Sequence, residues 1–98
     1  MVLINPGFDS VHKKFISKGW ELKENKRETM IYIDPINEND RFCININKND
    51  INVSVPIPNS NIQYKTTLNS YFSACEYLEM HLNNFMKTEN RFLKDNII

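Results

Sequence analysis

Phe42-Cys43-Ile44-Asn45-Ile46-Asn47-Lys48-Asn49-Asp50-Ile51-Asn52-Val53-Ser54-Val55-Pro56-Ile57 is the stretch that decides the fold. Phe42, Ile44 and Ile46 alternate with Cys43, Asn45 and Asn47, and Ile51, Val53, Val55 and Ile57 alternate with Asn52, Ser54 and Pro56. A period of two marks strands with one buried face. A four-residue loop over positions 47–50 pairs Ile46 with Ile51 and brings both apolar sets to the same side. Asparagine and serine fill the other face, which suits contact with water. Pro56 and Pro58 have no N–H to give to a ladder, so the end of this strand is expected at a sheet edge.

Upstream, the same period of two starts at Trp20 and Leu22, which alternate with Glu21 and Lys23. Asn25-Lys26-Arg27-Glu28 reads as a turn, and Thr29-Met30-Ile31-Tyr32-Ile33 is rich in strand formers. Pro35 ends that strand, and Asn37-Glu38-Asn39-Asp40 forms a polar loop. Before the strands, Asn5-Pro6 is a helix start, with asparagine as the cap and proline in the first turn. Phe8, Val11, Phe15 and Ile16 give an amphipathic helix over about residues 6–18, closed by Gly19 in a left-handed conformation.

Downstream, residues 58–66 show no clear period and are expected to form a loop. A long helix is expected from about Thr67 to Met86 or on to Lys94. Leu68, Phe72, Cys75, Leu78, Leu82 and Met86 fall on one stripe at 100° per residue, with Glu79 the one intruding charge. The expected architecture is α+β: a four-stranded antiparallel sheet, with the short N-terminal helix and the long C-terminal helix packed on one face, in the order α-β-β-β-β-α. The 98 residues make one domain, with residues 88–98 as a docking tail that carries Phe92, Leu93, Ile97 and Ile98.

Twelve basic residues balance twelve acidic ones, so no global field draws the chain to nucleic acid or to an anionic membrane. No apolar run reaches the ~18 residues that span a bilayer, and Met1-Val2-Leu3-Ile4 is too short for a signal-peptide core. The expected location is the cytoplasm, where a reducing environment leaves Cys43 and Cys75 as thiols. Asn, Ile and Lys supply 15, 12 and 9 of the residues, a bias toward A/T-rich codons that fits a virus, a phage, a low-GC bacterium or a protist.

Chemistry-bearing patterns are sparse. His12 and His81 lack paired-ligand spacing, and the two cysteines are not arranged as C-x-x-C, so no metal site is expected. Asp34, Glu38 and Asp40 have the composition of a calcium loop but not its glycine or its terminal glutamate, and a solvated hairpin loop is expected there. Gly7 and Gly19 are the only glycines, too few for a phosphate-cradling loop. No serine, threonine or cysteine stands in a nucleophile motif. The expectation is therefore a protein that is not an enzyme and uses no cofactor.

Two binding readings remain. Ser73, Tyr77, Met80 and Asn84 lie opposite the apolar stripe of the long helix, rimmed by Glu76, His81 and Lys87, and tyrosine and methionine are enriched at interfaces. These residues are the candidate contacts of a small accessory or adaptor protein that binds another protein or itself. The alternative is a nucleic-acid-binding module. Lys13, Lys14, Lys18, Lys23, Lys26 and Arg27 give residues 13–27 a local excess of four positive charges, with Trp20 and Tyr32 near in sequence to stack on bases.

Overall fold

Antiparallel hairpins follow one another along the chain, so strand order in the sheet repeats strand order in the sequence. The computed structural model describes residues 5–34, 36–37, 39–58 and 60–85. A 3-10 turn at Pro6–Phe8 leads into α1 (Asp9–Ser17), then β1 (Glu21–Asn25), β2 (Thr29–Ile33), β3 (Arg41–Ile46), β4 (Ile51–Pro56), β5 (Gln63–Leu68) and α2 (Tyr71–Leu82). The architecture is α+β, an antiparallel sheet in the order β1-β2-β3-β4-β5 with two helices. Five strands stand where four were expected.

The N-terminal half matches the expectation closely. Asn5 caps the first turn by accepting the Gly7 N–H at 2.9 Å. Gly19 closes α1 with φ 88°, in the region where a Cβ would meet the following carbonyl. In the β3–β4 hairpin Ile46 does pair with Ile51, and the loop is closed by Asn47 N–H donating to Asp50 O at 2.9 Å and Asn47 Nδ2 to Asp50 Oδ1 at 2.7 Å.

β5 overturns the expected loop and the expected helix start. Gln-Tyr-Lys-Thr-Thr-Leu pairs along its whole length with β4, from Pro56–Gln63 to Ile51–Leu68. Its inward residues Tyr64, Thr66 and Leu68 do alternate, but one is a threonine and all three are only partly covered, so the apolar signal is weak. Ser70 is the true cap of α2, accepting the Ser73 N–H at 3.1 Å. Leu68 therefore belongs to a strand, and Phe72, 73% exposed, points to solvent. The buried side of α2 is Ala74, Leu78 and Leu82, continued by Phe85 and flanked by Cys75 and Tyr77. Met86 and the tail 88–98 lie outside the described residues.

Pro56 is likewise not at an edge, because β4 sits between β3 and β5. The Ile57 N–H bonds to Ile62 O at 3.0 Å, so odd residues of β4 face β5 and Pro56 faces β3. Pairing with β3 has already ended at Cys43–Ser54, so the absent donor falls past the last rung. The loop after β2 is solvated as expected at Ile36, Asn37 and Asn39, but the carboxylates at its two ends turn inward. Asp34 and Asp40 are buried, with Asp34 Oδ1 accepting the Ile36 N–H at 3.0 Å and Asn37 Nδ2 reaching Asp40 Oδ2 at 3.4 Å.

The core is aromatic at its centre. Phe15 of α1 stacks on Tyr32 of β2, with centroids 4.0 Å apart and planes 5° from parallel, and meets Phe42 edge-on at 4.9 Å. Trp20 bridges Phe42 at 5.0 Å and Phe85 at 5.2 Å. Such ring pairs add to the burial of their large surfaces. Phe15→Ala is expected to lower stability by about 3–5 kcal/mol, enough to leave much of the chain unfolded, as measured by urea denaturation followed by circular dichroism.

Candidate functional site

The residues proposed for partner contact lie where α2 runs beside the last strand. α2 shows one flank to β5 and the other to α1. On the α1 flank, Cys75 Sγ donates to Gly7 O at 3.2 Å and Glu79 forms an ion pair with Lys14. On the β5 flank, Leu68, Ser73, Glu76, Tyr77 and Met80 line a shallow groove of about 570 Å³, which extends over the helix to Glu79 and Asn83. Ser73, Tyr77 and Met80 are thus brought together. Asn84 is exposed but does not line the groove.

Tyr77 does not lie opposite the core, as its helical position had implied, but is half-buried against it. At 100° per residue it stands about 60° from Ala74, the near edge of the buried stripe, on the flank toward β5, where Leu68 lies across the groove. Burial raises the Tyr77 phenol above its ordinary pKa, and neighbouring Tyr64 raises it further. Met80, which lines the groove, is 58% exposed, and Tyr64, near Tyr77 on β5 but outside the groove's lining, is 59% exposed. Sequence reasoning missed Leu68 as a groove residue because it belongs to the strand it did not find.

His81 sits under Tyr77, with ring centroids 4.4 Å apart. Its Nδ1 is buried and has no hydrogen-bond partner among the described residues. A histidine in the last turn of a helix is ordinarily favoured as a cation, but here burial wins and lowers its pKa.

The alternative cluster does not present a single basic surface. Lys13 pairs with Asp9 at 3.7 Å, Lys26 with Glu24 at 3.2 Å, and Lys14 with Glu79. Lys18 Nζ donates to Leu82 O at 3.1 Å and Phe85 O at 2.7 Å, closing the end of α2 where carbonyls lack helical partners. Arg27 stands at the far end of the sheet beside Glu28 and Lys48, and Lys23 is exposed in β1. Trp20 and Tyr32 are both buried in the core and cannot stack on bases.

The sheet face turned away from the helices is polar over β4 and β5 and carries Ile31, Ile33 and Cys43 on β2 and β3. One row runs Thr29–Asn45–Asn52–Thr67 across four strands. Thr29 Oγ1 donates to Asn45 Oδ1 at 3.1 Å and Thr67 Oγ1 to Asn52 Oδ1 at 2.7 Å, so the row is tied to itself. Cys43 is half-buried on this face, and burial raises both its thiol and that of Cys75. His12 Nδ1 lies 2.6 Å from the Tyr32 hydroxyl, which gives a buried phenol its partner. Burial raises the Tyr32 pKa well above its ordinary value, so the phenol keeps its proton. Among the described residues no three His, Cys, Asp or Glu side chains come together to hold a metal ion, and no helix is long and apolar enough to cross a membrane. In comparison with known proteins, the chain matches no family model, no curated protein and no solved structure.

Two expected outcomes follow from this geometry. Lys18→Met removes a charged donor from two carbonyls and should cost about 1–3 kcal/mol in urea denaturation, whereas Lys13→Met, on an exposed i,i+4 pair, should change stability by less than about 0.5 kcal/mol. Burial holds the His81 pKa below its ordinary value of about 6.5, so the unfolded chain takes up a proton that the folded chain refuses. The stability this contributes is complete above pH ~6.5 and is lost as the pH falls through the lowered folded value. Between pH 7 and 5 the wild type should therefore lose more stability than His81→Gln; equal losses would show that the ring is not held neutral.

Proposed function

We propose that this protein is a small non-catalytic accessory or adaptor protein that acts by protein–protein contact through the groove between α2 and β5. The observation that carries the reading is the groove itself, where Leu68, Tyr77 and the solvent-exposed Met80 present apolar surface and exposed Tyr64 stands nearby on β5. An apolar patch with a polar rim on rigid elements is what an interface core needs, and aromatic and methionine side chains are enriched there. Ser73 and Glu76 supply the rim on the helix. The working compartment is proposed to be reducing and cytoplasmic, which leaves Cys43 and Cys75 as thiols.

The dispersal of the cluster favours this reading over nucleic-acid binding: Lys14 and Lys18 bridge α1 to α2, and Lys13 and Lys26 pair with acids on their own elements or turns. Partner capture from extracts of the native host, run in parallel with nuclease treatment, tests the proposal. Tyr77 contributes to packing, so Met80→Glu is the cleaner probe than Tyr77→Ala. Met80→Glu should keep the wild-type circular dichroism spectrum and weaken capture about tenfold, with nuclease making no difference. Capture of every partner at wild-type strength by Met80→Glu would reject the groove as the contact.

A further inference from the structure

The two edges of the sheet are not equivalent. β1 is irregular, with a register shift between Leu22 and Glu24, and its exposed residues include the charges Glu21 and Lys23. Bulges and charges are the devices by which edge strands avoid unwanted pairing. β5 has neither a bulge nor a proline, and its six residues run in unbroken register with β4. Lys65 is its one charge, on the polar face of the sheet.

The backbone of β5 can be assigned group by group. The bond from Ile57 N–H to Ile62 O sets the alternation, so Tyr64, Thr66 and Leu68 turn their N–H and C=O groups to β4. Gln63, Lys65 and Thr67 turn theirs away from the sheet, to the edge. Beside this edge, on the helix face, lie Tyr64, Leu68 and Met80.

We infer that β5 pairs with the β5 of a second copy of this chain, antiparallel and centred on Thr66, to make a continuous sheet across a two-fold axis. This inference rests on the reading of the α2–β5 side as an interaction surface and names its occupant. Residues directly opposite in an antiparallel pair share a face, so a symmetric register must centre on a residue, not between two. Only centres at Lys65 and Thr66 pair five strand residues of each copy. A centre at Lys65 would set its ammonium against its own copy, which is destabilising. A centre at Thr66 sets Lys65 opposite Thr67 of the second copy, and Tyr64 opposite Leu68 twice. Those last are narrow, non-hydrogen-bonded pairs, where side chains approach most closely, and they join an aromatic ring to an aliphatic chain. The two Lys65–Thr67 pairs exchange about four main-chain hydrogen bonds. Strand pairing of this length is small beside the ~800 Å² per partner of a standard interface, and Met80 and Tyr77 on each side of the axis supply the further apolar area.

Sedimentation and light scattering on the full chain test the inference, with cross-linking to read the register. The wild type should run at twice the mass of one chain. Thr66→Lys, which opposes two like charges at the axis, should weaken association about a hundredfold while keeping the wild-type circular dichroism spectrum. In a Cys43→Ser, Cys75→Ser background, Thr66→Cys should form a disulfide-linked dimer under mild oxidation, because narrow pairs bring Cα atoms to about 4.5 Å, within disulfide range. Tyr64→Cys in the same background should not, its two copies being about four residues apart along the strands. A wild-type monomer at sub-millimolar concentration with no Thr66→Cys cross-link would overturn the inference, as would a dimer that Thr66→Lys leaves intact. A monomer whose capture of another protein is lost in Met80→Glu would overturn only the second copy as occupant and leave the adaptor reading standing, with a foreign chain in the groove.

Discussion

The stack of Phe15 on Tyr32 is the contact on which the rest of the structure depends. It joins α1 to β2, and through Phe42 and Trp20 it extends to β3 and to Phe85 beyond the end of α2. Five large rings thereby fix both helices over the middle of the sheet. The cluster draws both helices over the middle of the sheet and leaves the inner flank of β5 only partly covered, with Tyr64 59% exposed. The polar Thr29–Asn45–Asn52–Thr67 row and the open α2–β5 groove are two consequences of one packing choice. The first needs no cover because its side chains bond to each other; the second leaves apolar atoms in water.

Charge reinforces the same arrangement. Lys14 holds the middle of α2 through Glu79, and Lys18 holds its end through the carbonyls of Leu82 and Phe85. Both lysines come from α1, so the two helices are bound by more than apolar contact. Their i,i+4 spacing on one face of α1 is what lets them reach successive turns of α2. Of the six cations that read as a nucleic-acid footprint along the sequence, Lys14 and Lys18 serve in space to fasten the two helices, and the others are spread apart over the surface. Linear charge density carries no information about which amines meet a carbonyl or carboxylate across the fold, and here that information decides their role.

What the sequence made legible was local and strongly patterned. The β3–β4 hairpin could be read down to the Ile46–Ile51 pair because its apolar residues alternate without a break and its loop residues are turn formers. Gly19 was legible for a similar reason, since few other residues suit φ 88° after a helix. β5 was not, because an edge strand is half-exposed and its inward threonine breaks the apolar alternation, while Leu68 stands four residues before Phe72 and mimics a helical stripe. Ser70, a cap signal in plain view, would have placed the boundary correctly had it been weighed above that coincidence. The groove was half legible for the same reason. Its helical side, Ser73, Tyr77 and Met80, is legible from periodicity, and its strand side, Leu68, is hidden with β5.

The position of the groove bears on what kind of binding surface it can be. Tyr77 packs against the core and meets the His81 ring at 4.4 Å with the planes tilted 53°, so its ring is already ordered before any partner arrives. Ordering side chains at an interface costs about 0.5–1.5 kcal/mol for each flexible group, and a pre-packed ring avoids that cost. Met80, beside it, is exposed and unbranched and can adapt its shape to what it meets. A fixed aromatic floor with an adaptable flank, next to a regular strand edge with main-chain donors and acceptors facing outward, combines shape selectivity from side chains with directional bonding from the backbone. Neither element requires a titrating group or a bound ion at the surface. A fold that places five rings in the core and two lysines between its helices keeps, for an outside partner, the kind of contact that backbone and apolar surface supply.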